Sequence, residues 1–190
     1  MESQQVIDLF HDLDALLDGH FQLSSGLHSS GYLQCALVLQ HPAHADALGD
    51  ALAARVRPLT PNVVLSPALG GVVIGQAVAR ALGVRGIFAE RQDGRLTLRR
   101  GFTLTASARV VIIEDVVTTG GSTRATIAVA KASGAVVVGA ASIIDRSGMS
   151  ASFGVPYHAL ATVVRPAYEP TECPQCAAGV AIEKPGSRDS

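Results

Sequence analysis

Two hydrophobic rhythms run along the chain. Val6, Ile7, Leu9, Phe10, Leu13, Leu16 and Leu17 recur at helical spacing and predict an amphipathic first helix closed by Gly19. A polar, glycine-rich patch follows, running from Gly19-His20-Phe21 through Ser24-Ser25-Gly26 to His28-Ser29-Ser30-Gly31-Tyr32. A second helix is predicted over residues 43–57, ended by Pro58 and Pro61. From there apolar runs alternate with helical stretches. The pattern predicts a strand over 63–66, a loop over 67–71, a helix over 72–82 stopped by Gly83, and a strand over 84–89. A charged excursion occupies 90–101; a strand over 110–113, a helix over 124–133 and strands over 135–144 and 158–164 complete the series. The tail after Pro166 reads as loosely attached. Unbroken apolar runs suit strands covered on both sides, and strands alternating with helices predict an α/β fold, a Rossmann-like parallel sheet with helices on both faces. Such sheets bind ligands at the carboxyl ends of their strands.

Composition narrows the picture without changing it. A length of 190 residues fits one domain, and no repeat or linker divides it. Hydrophobic residues make up 48% and aromatics only 4%, so the core rests on Val, Ala, Leu and Ile. A net charge of −1 gives no electrostatic case for a nucleic acid or an anionic membrane as partner. Met-Glu-Ser-Gln-Gln lacks the basic and apolar regions of a signal peptide, and the apolar stretch 135–144 is too short to span a bilayer. The expectation is a cytoplasmic, reduced protein.

The chemistry concentrates in residues 110–123, Val-Val-Ile-Ile-Glu-Asp-Val-Val-Thr-Thr-Gly-Gly-Ser-Thr. Glu114 and Asp115 stand where the strand is expected to end. Thr118-Thr119-Gly120-Gly121-Ser122-Thr123 then forms a hydroxyl-rich glycine turn into a helix. Backbone N–H groups at a helix start can cradle a phosphate, and two carboxylates can accept hydrogen bonds from a ribose diol. The pattern suits a sugar phosphate. No Gly-Lys-Ser/Thr follows the turn, so it is not a Walker loop, and Gly-x-Gly-x-x-Gly is missing after the strand. Pro67-Ala68-Leu69-Gly70-Gly71 is a second glycine turn between strand and helix, and Asp145-Arg146-Ser147-Gly148 ends a later strand.

Residues 110–123 resemble the 5-phosphoribosyl-1-diphosphate (PRPP) signature of the type I phosphoribosyltransferases. The resemblance extends to Gly19-His20-Phe21, Ser24-Ser25-Gly26, Tyr32-Leu33-Gln34-Cys35, Pro67-Ala68-Leu69-Gly70-Gly71 and Leu98-Arg99-Arg100-Gly101-Phe102. Asp145-Arg146-Ser147-Gly148, Cys173-Pro174-Gln175-Cys176 and Lys184-Pro185-Gly186-Ser187-Arg188 carry it further. Together these segments look like the shorter bacterial orotate phosphoribosyltransferases.

The resemblance implies a single domain over 1–190, with a small N-terminal hood (1–40), a core (43–165) and a tail (166–190). It implies transfer of the 5-phosphoribosyl group from PRPP to orotate in pyrimidine synthesis. Glu114 and Asp115 would be the catalytic carboxylates. Val116, Val117, Thr118, Thr119, Gly120, Gly121 and Ser122 would join them in holding PRPP. Ala68, Leu69 and Gly70 would meet the diphosphate through main-chain amides, and Arg91, Arg99 and Arg100 would clamp it. Thr118 and Arg146 would contact orotate, a guanidinium being suited to a planar carboxylate. The resemblance also implies Mg²⁺, bound mainly through PRPP, and a homodimer whose charged loop serves the neighbouring site. A purine phosphoribosyltransferase and a PRPP-sensing regulator remain alternatives at this point.

Two positions depart from better-known family members. Ser24 stands where they carry a lysine, and the 90–101 loop has four arginines but no lysine or histidine. Arginine can neutralise a diphosphate but cannot act as a general acid at ordinary pH. Cys173-x-x-Cys176 has no second pair, and the six histidines show no ligand spacing. The expectation for this pair is a turn in a reduced tail, without bound metal.

Overall fold

The computed structural model describes residues 1–23 and 26–185. Ser24, Ser25 and residues 186–190 lie outside the described residues, and with them the Ser24 departure and the Gly186-Ser187-Arg188 end of the last motif. In chain order the elements are α1 (Ser3–Asp12), β1 (Leu16–Gln22), β2 (His28–Leu33), α2 (Cys35–Leu39), α3 (Pro42–Val56), β3 (Val63–Pro67) and α4 (Gly70–Leu82). There follow β4 (Arg85–Gln92), β5 (Arg95–Leu98), β6 (Arg109–Val117), α5 (Gly121–Ala132), β7 (Val136–Asp145), β8 (Tyr157–Thr162), β9 (Ala167–Tyr168) and α6 (Pro174–Ala177).

The main sheet has strand order β5-β4-β3-β6-β7-β8, parallel except for the antiparallel edge strand β5. Val110, Val111, Ile112 and Ile113 of β6 are wholly buried at its centre. Successive side chains of a strand point to opposite faces. Val111 and Ile113 accordingly join α1, α3 and α4 in one core, whereas Val110 and Ile112 join Ile127 and Ala130 of α5 in the other. Helices thus cover both faces, as the α/β pattern predicts. The same alternation sends the Glu114 side chain toward α5 and that of Asp115 toward α4.

Several elements differ from the sequence expectation. The first helix stops at Asp12, because Asp14 takes a left-handed conformation (φ 49°) and Leu16 opens β1. The glycine-rich patch becomes the antiparallel hairpin β1–β2, to which β9 adds a third strand. β6 continues through both acids to Val117 rather than ending before them. The charged excursion is the β4–β5 ribbon turning at Asp93-Gly94, and its Leu96 is buried in the core that contains Ile127.

The tail is docked rather than loose. Glu183 exchanges backbone hydrogen bonds with this hairpin, its carbonyl accepting from Gln22 N and its N–H donating to the His20 carbonyl, both at 2.8 Å. Gln175 Nε2 donates to the Gly19 carbonyl, and Cys173 is buried. This docking brings Cys173 and Cys176 against His20 and His28. The sequence showed no ligand spacing among the histidines, yet two of them stand beside the cysteine pair: spacing could not register groups supplied by a distant hairpin. Among the described residues no helix is long and apolar enough to cross a membrane.

Candidate active site

The site forms where β6 hands over to α5. Gly120 holds φ +75°, a conformation open to glycine, and a Cβ there would lie 2.6 Å from the Phe153 ring. This turn starts α5 at Gly121 and leaves the N–H groups of its first turn facing outward. Arg124 braces the turn, donating from Nη2 to the Thr119 carbonyl at 2.5 Å. A cavity of about 270 Å³ results, lined by residues 116–123 together with Glu114 and Arg91. Exposed Thr118 and Thr119, the free helix amides and one arginine make it an anion pocket.

The two carboxylates lie on opposite faces of the strand. Glu114 is only 5% exposed, and burial first, then neighbouring Asp115, pushes its pKa up to about 8. Asp115 is also raised by burial, partly offset by backbone N–H groups that stabilise its charge. Across from it stands the second glycine turn. A Cβ on Gly70 would lie 2.5 Å from Asp115 Oδ2, so the turn approaches the carboxylate as only glycine allows. Ala68 and Leu69 precede it, joined by a cis peptide, with Leu69 87% exposed at the tip. The arrangement places a loop of main-chain amides and a carboxylate on one side of the strand end, and a phosphate cradle with a second carboxylate on the other.

Arg146 begins the loop after β7, its N–H bonded to the Val117 carbonyl at 2.7 Å. Asp145 does not pair with it. Instead this buried carboxylate accepts from the N–H groups of Ser147 and Met149, both at 2.7 Å, and fixes the loop. The Arg146 guanidinium is half-buried, and its pKa is lowered by that burial and then by Arg165. Among the described residues no carboxylate lies within ion-pair distance of it.

The three loop arginines expected at the diphosphate diverge. Arg91 lines the cavity of its own chain. Arg100 grips Glu90 with two hydrogen bonds of 2.8 Å and lies over the Phe88 ring, and it does not line this cavity. Arg99 is exposed at the end of the ribbon. Thr123, the last hydroxyl of the turn read from the sequence, is buried in the cavity wall. Sequence reasoning missed Arg165, which joins Arg146 while bonded to Asp18 at 2.8 Å. Arg165 lies 19 residues beyond its neighbour, outside any motif, and only the pairing of β7 with β8 brings it near.

A strand end with paired acids, an anion pocket at a helix start and a facing glycine loop together make the kind of site the sequence led us to expect. Comparisons with known proteins agree. The phosphoribosyl transferase domain matches residues 36–150. The chain is 47% identical over 188 residues to the orotate phosphoribosyltransferase of Pelotomaculum thermopropionicum, covering 99% of each. It is 48% identical over 190 residues to that of Heliobacterium modesticaldum, covering 99% of this chain and 100% of the relative. In fold it is similar to the crystal structure of Mycobacterium tuberculosis orotate phosphoribosyltransferase in complex with inorganic phosphate, with a TM-score of 0.68 and 22% identity over 83% of this chain and 94% of that one. The chain belongs to the phosphoribosyltransferase family, among its orotate phosphoribosyltransferases.

Proposed function

We propose that the protein transfers the 5-phosphoribosyl group of PRPP to orotate, releasing diphosphate and forming orotidine 5′-monophosphate. The observation that carries this reading is Arg146. This half-buried guanidinium, which has no carboxylate within ion-pair distance among the described residues, is suited to receive an anion, and orotate brings a planar carboxylate fit for two-point contact. Purine bases have no such group.

In this reading Thr118 to Ser122 and the start of α5 hold the 5′-phosphate, with Arg91 on the same cavity. Ala68, Leu69 and Gly70 meet the diphosphate. As the C1–O bond to diphosphate breaks and the C1–N bond to the base forms, positive charge grows on the ribose. Glu114 and Asp115, one on each side of the strand end, hydrogen-bond the ribose hydroxyls, and Asp115, together with Glu114 once bound cations have displaced its proton, stabilises that charge. The base is itself the nucleophile, so no covalent residue is needed.

The donors around the strand end are carboxylates and hydroxyls, a set that fits a hard cation such as Mg²⁺. Asp115 and Glu114 would help hold it, most of its oxygens coming from PRPP. Once bound, it neutralises charge on the leaving diphosphate.

The reading includes a homodimer. Its support is an apolar groove of about 490 Å³ between α3 and α4, with exposed Val73 on its wall. In this reading Arg91, Arg99 or Arg100 assists the diphosphate at the partner's site, and the exposure of Arg99 at the ribbon end suits that role. A monomer by sedimentation at assay concentration would remove this part of the reading. The three free cysteines fit the cytoplasmic setting expected from the sequence.

The test of the whole is a steady-state assay with PRPP, Mg²⁺ and a panel of bases. Turnover of orotate is expected; robust turnover of adenine or guanine with none of orotate would overturn the assignment.

A further inference from the structure

The strongest cluster of unused chemistry lies outside the active site, where the docked tail meets the β1–β2 hairpin. His20 Nε2 and His28 Nδ1 are 3.2 Å apart. Cys173 Sγ lies 3.4 Å from His20 Nε2, and Cys176 Sγ lies 3.7 Å from His20 Nε2 and 3.3 Å from His28 Nδ1. All four atoms fall within 4.8 Å of one another, and three of the four residues are buried.

The four separations of 3.2, 3.4, 3.7 and 3.3 Å match edges of a metal tetrahedron. With metal bonds of about 2.0 Å to nitrogen and about 2.3 Å to sulfur, ligand atoms stand about 3.3 Å (N to N) and about 3.5 Å (N to S) apart. The ring orientation agrees. His20 Nδ1 lies 2.9 Å from the Val180 carbonyl, which can only accept, so Nδ1 carries the proton and Nε2 presents its lone pair to the cluster. A carbonyl behind a ligating imidazole is the usual outer support of a metal site. Hydrogen bonding alone does not account for the arrangement. Two thiols and a second imidazole converge on His20 Nε2, whose single lone pair can accept from one of them.

We infer that His20, His28, Cys173 and Cys176 form a structural site for one tetrahedral divalent ion of the zinc class. The two cysteines bind as thiolates, releasing two protons, and with two neutral imidazoles they leave the occupied site uncharged. No ligand position remains open, which marks the site as structural rather than catalytic. The ion joins the hairpin to the tail. It would fasten the segment that carries the Gln22–Glu183 hydrogen bond and the β2–β9 pairing. Metal binding of this kind contributes directly to folding stability.

The experiment uses the full chain purified under reductant without added metal and dialysed against metal-free buffer. Elemental analysis should find about one zinc per chain. Chelation should lower Tm by several degrees, with recovery on adding zinc alone. Cobalt added to the stripped protein should give a thiolate charge-transfer band, and Cys176→Ser should abolish both this band and most of the bound zinc. Cys176 is exposed, so the serine is not expected to disturb packing; should that variant fail to fold, the zinc content and cobalt spectrum of the unmodified chain decide the matter. Zinc below about a tenth of an equivalent, together with stripped protein that shows no cobalt–thiolate band, would overturn the inference. Full zinc content in Cys176→Ser would overturn it as well.

Discussion

Gly70 and Asp115 are packed so closely that a single added carbon on the glycine would lie 2.5 Å from the carboxylate oxygen. The glycine loop and the β6 acid therefore form one unit, although 45 residues separate them in sequence. Gly70 does not occupy a left-handed conformation, and it is exposed at the first turn of α4. Backbone strain is thus no obstacle to alanine there, and only the carboxylate is crowded. Gly70→Ala should leave thermal stability nearly unchanged. It should lower kcat/KM for PRPP on the order of 10- to 100-fold by displacing the loop or Asp115. Unaltered PRPP kinetics would show that the close approach has no functional role.

Asp115→Asn tests the charge rather than the shape. The amide preserves most of the volume but cannot stabilise a cationic ribose. A fall in kcat of about 10²-fold with a smaller change in PRPP affinity is expected. Near-normal turnover in single-turnover kinetics would remove Asp115 from the chemistry.

Burial of Glu114 gives the free protein a defined pH dependence. In the unfolded chain a glutamate titrates near about 4.3. In the fold Glu114 keeps its proton up to about 8. Between those values the folded state holds more protons than the unfolded state, so stability must fall as pH rises. Asp115, also raised by burial, acts in the same direction. Urea unfolding of the ligand-free protein across that range should show the decline, and Glu114→Gln should flatten it. Equal slopes in the two proteins would mean that Glu114 titrates normally.

The parts legible in sequence were those written locally. Val110 to Ile113 announced a strand buried on both faces, and the acids, hydroxyls and glycines that follow are contiguous, so the cradle at Gly120 could be read directly. Leu16 and Leu17 misled because their spacing fits a helical stripe as well as a strand. The left-handed turn at Asp14, which ends the helix, leaves no hydrophobic signature. Features made by distant pairing were not legible. Arg165 reaches Arg146 through neighbouring strands. His20 and His28 meet the Cys173–Cys176 pair only because the tail returns to the hairpin. Spacing rules find metal ligands within one segment, and here the ligands come from two.

The claim that most needs direct measurement is that Arg146 selects the base through its carboxylate. Orotate and uracil share a ring and differ by that group, so the ratio of their kcat/KM values isolates the contact. The unmodified protein should favour orotate by on the order of 10²-fold or more, the size expected when a buried charged group is left without its partner. In Arg146→Lys the ratio should collapse through a raised KM for orotate, while KM for PRPP stays nearly constant. A ratio unchanged by the substitution, or equal damage to both Michaelis constants, would contradict the account.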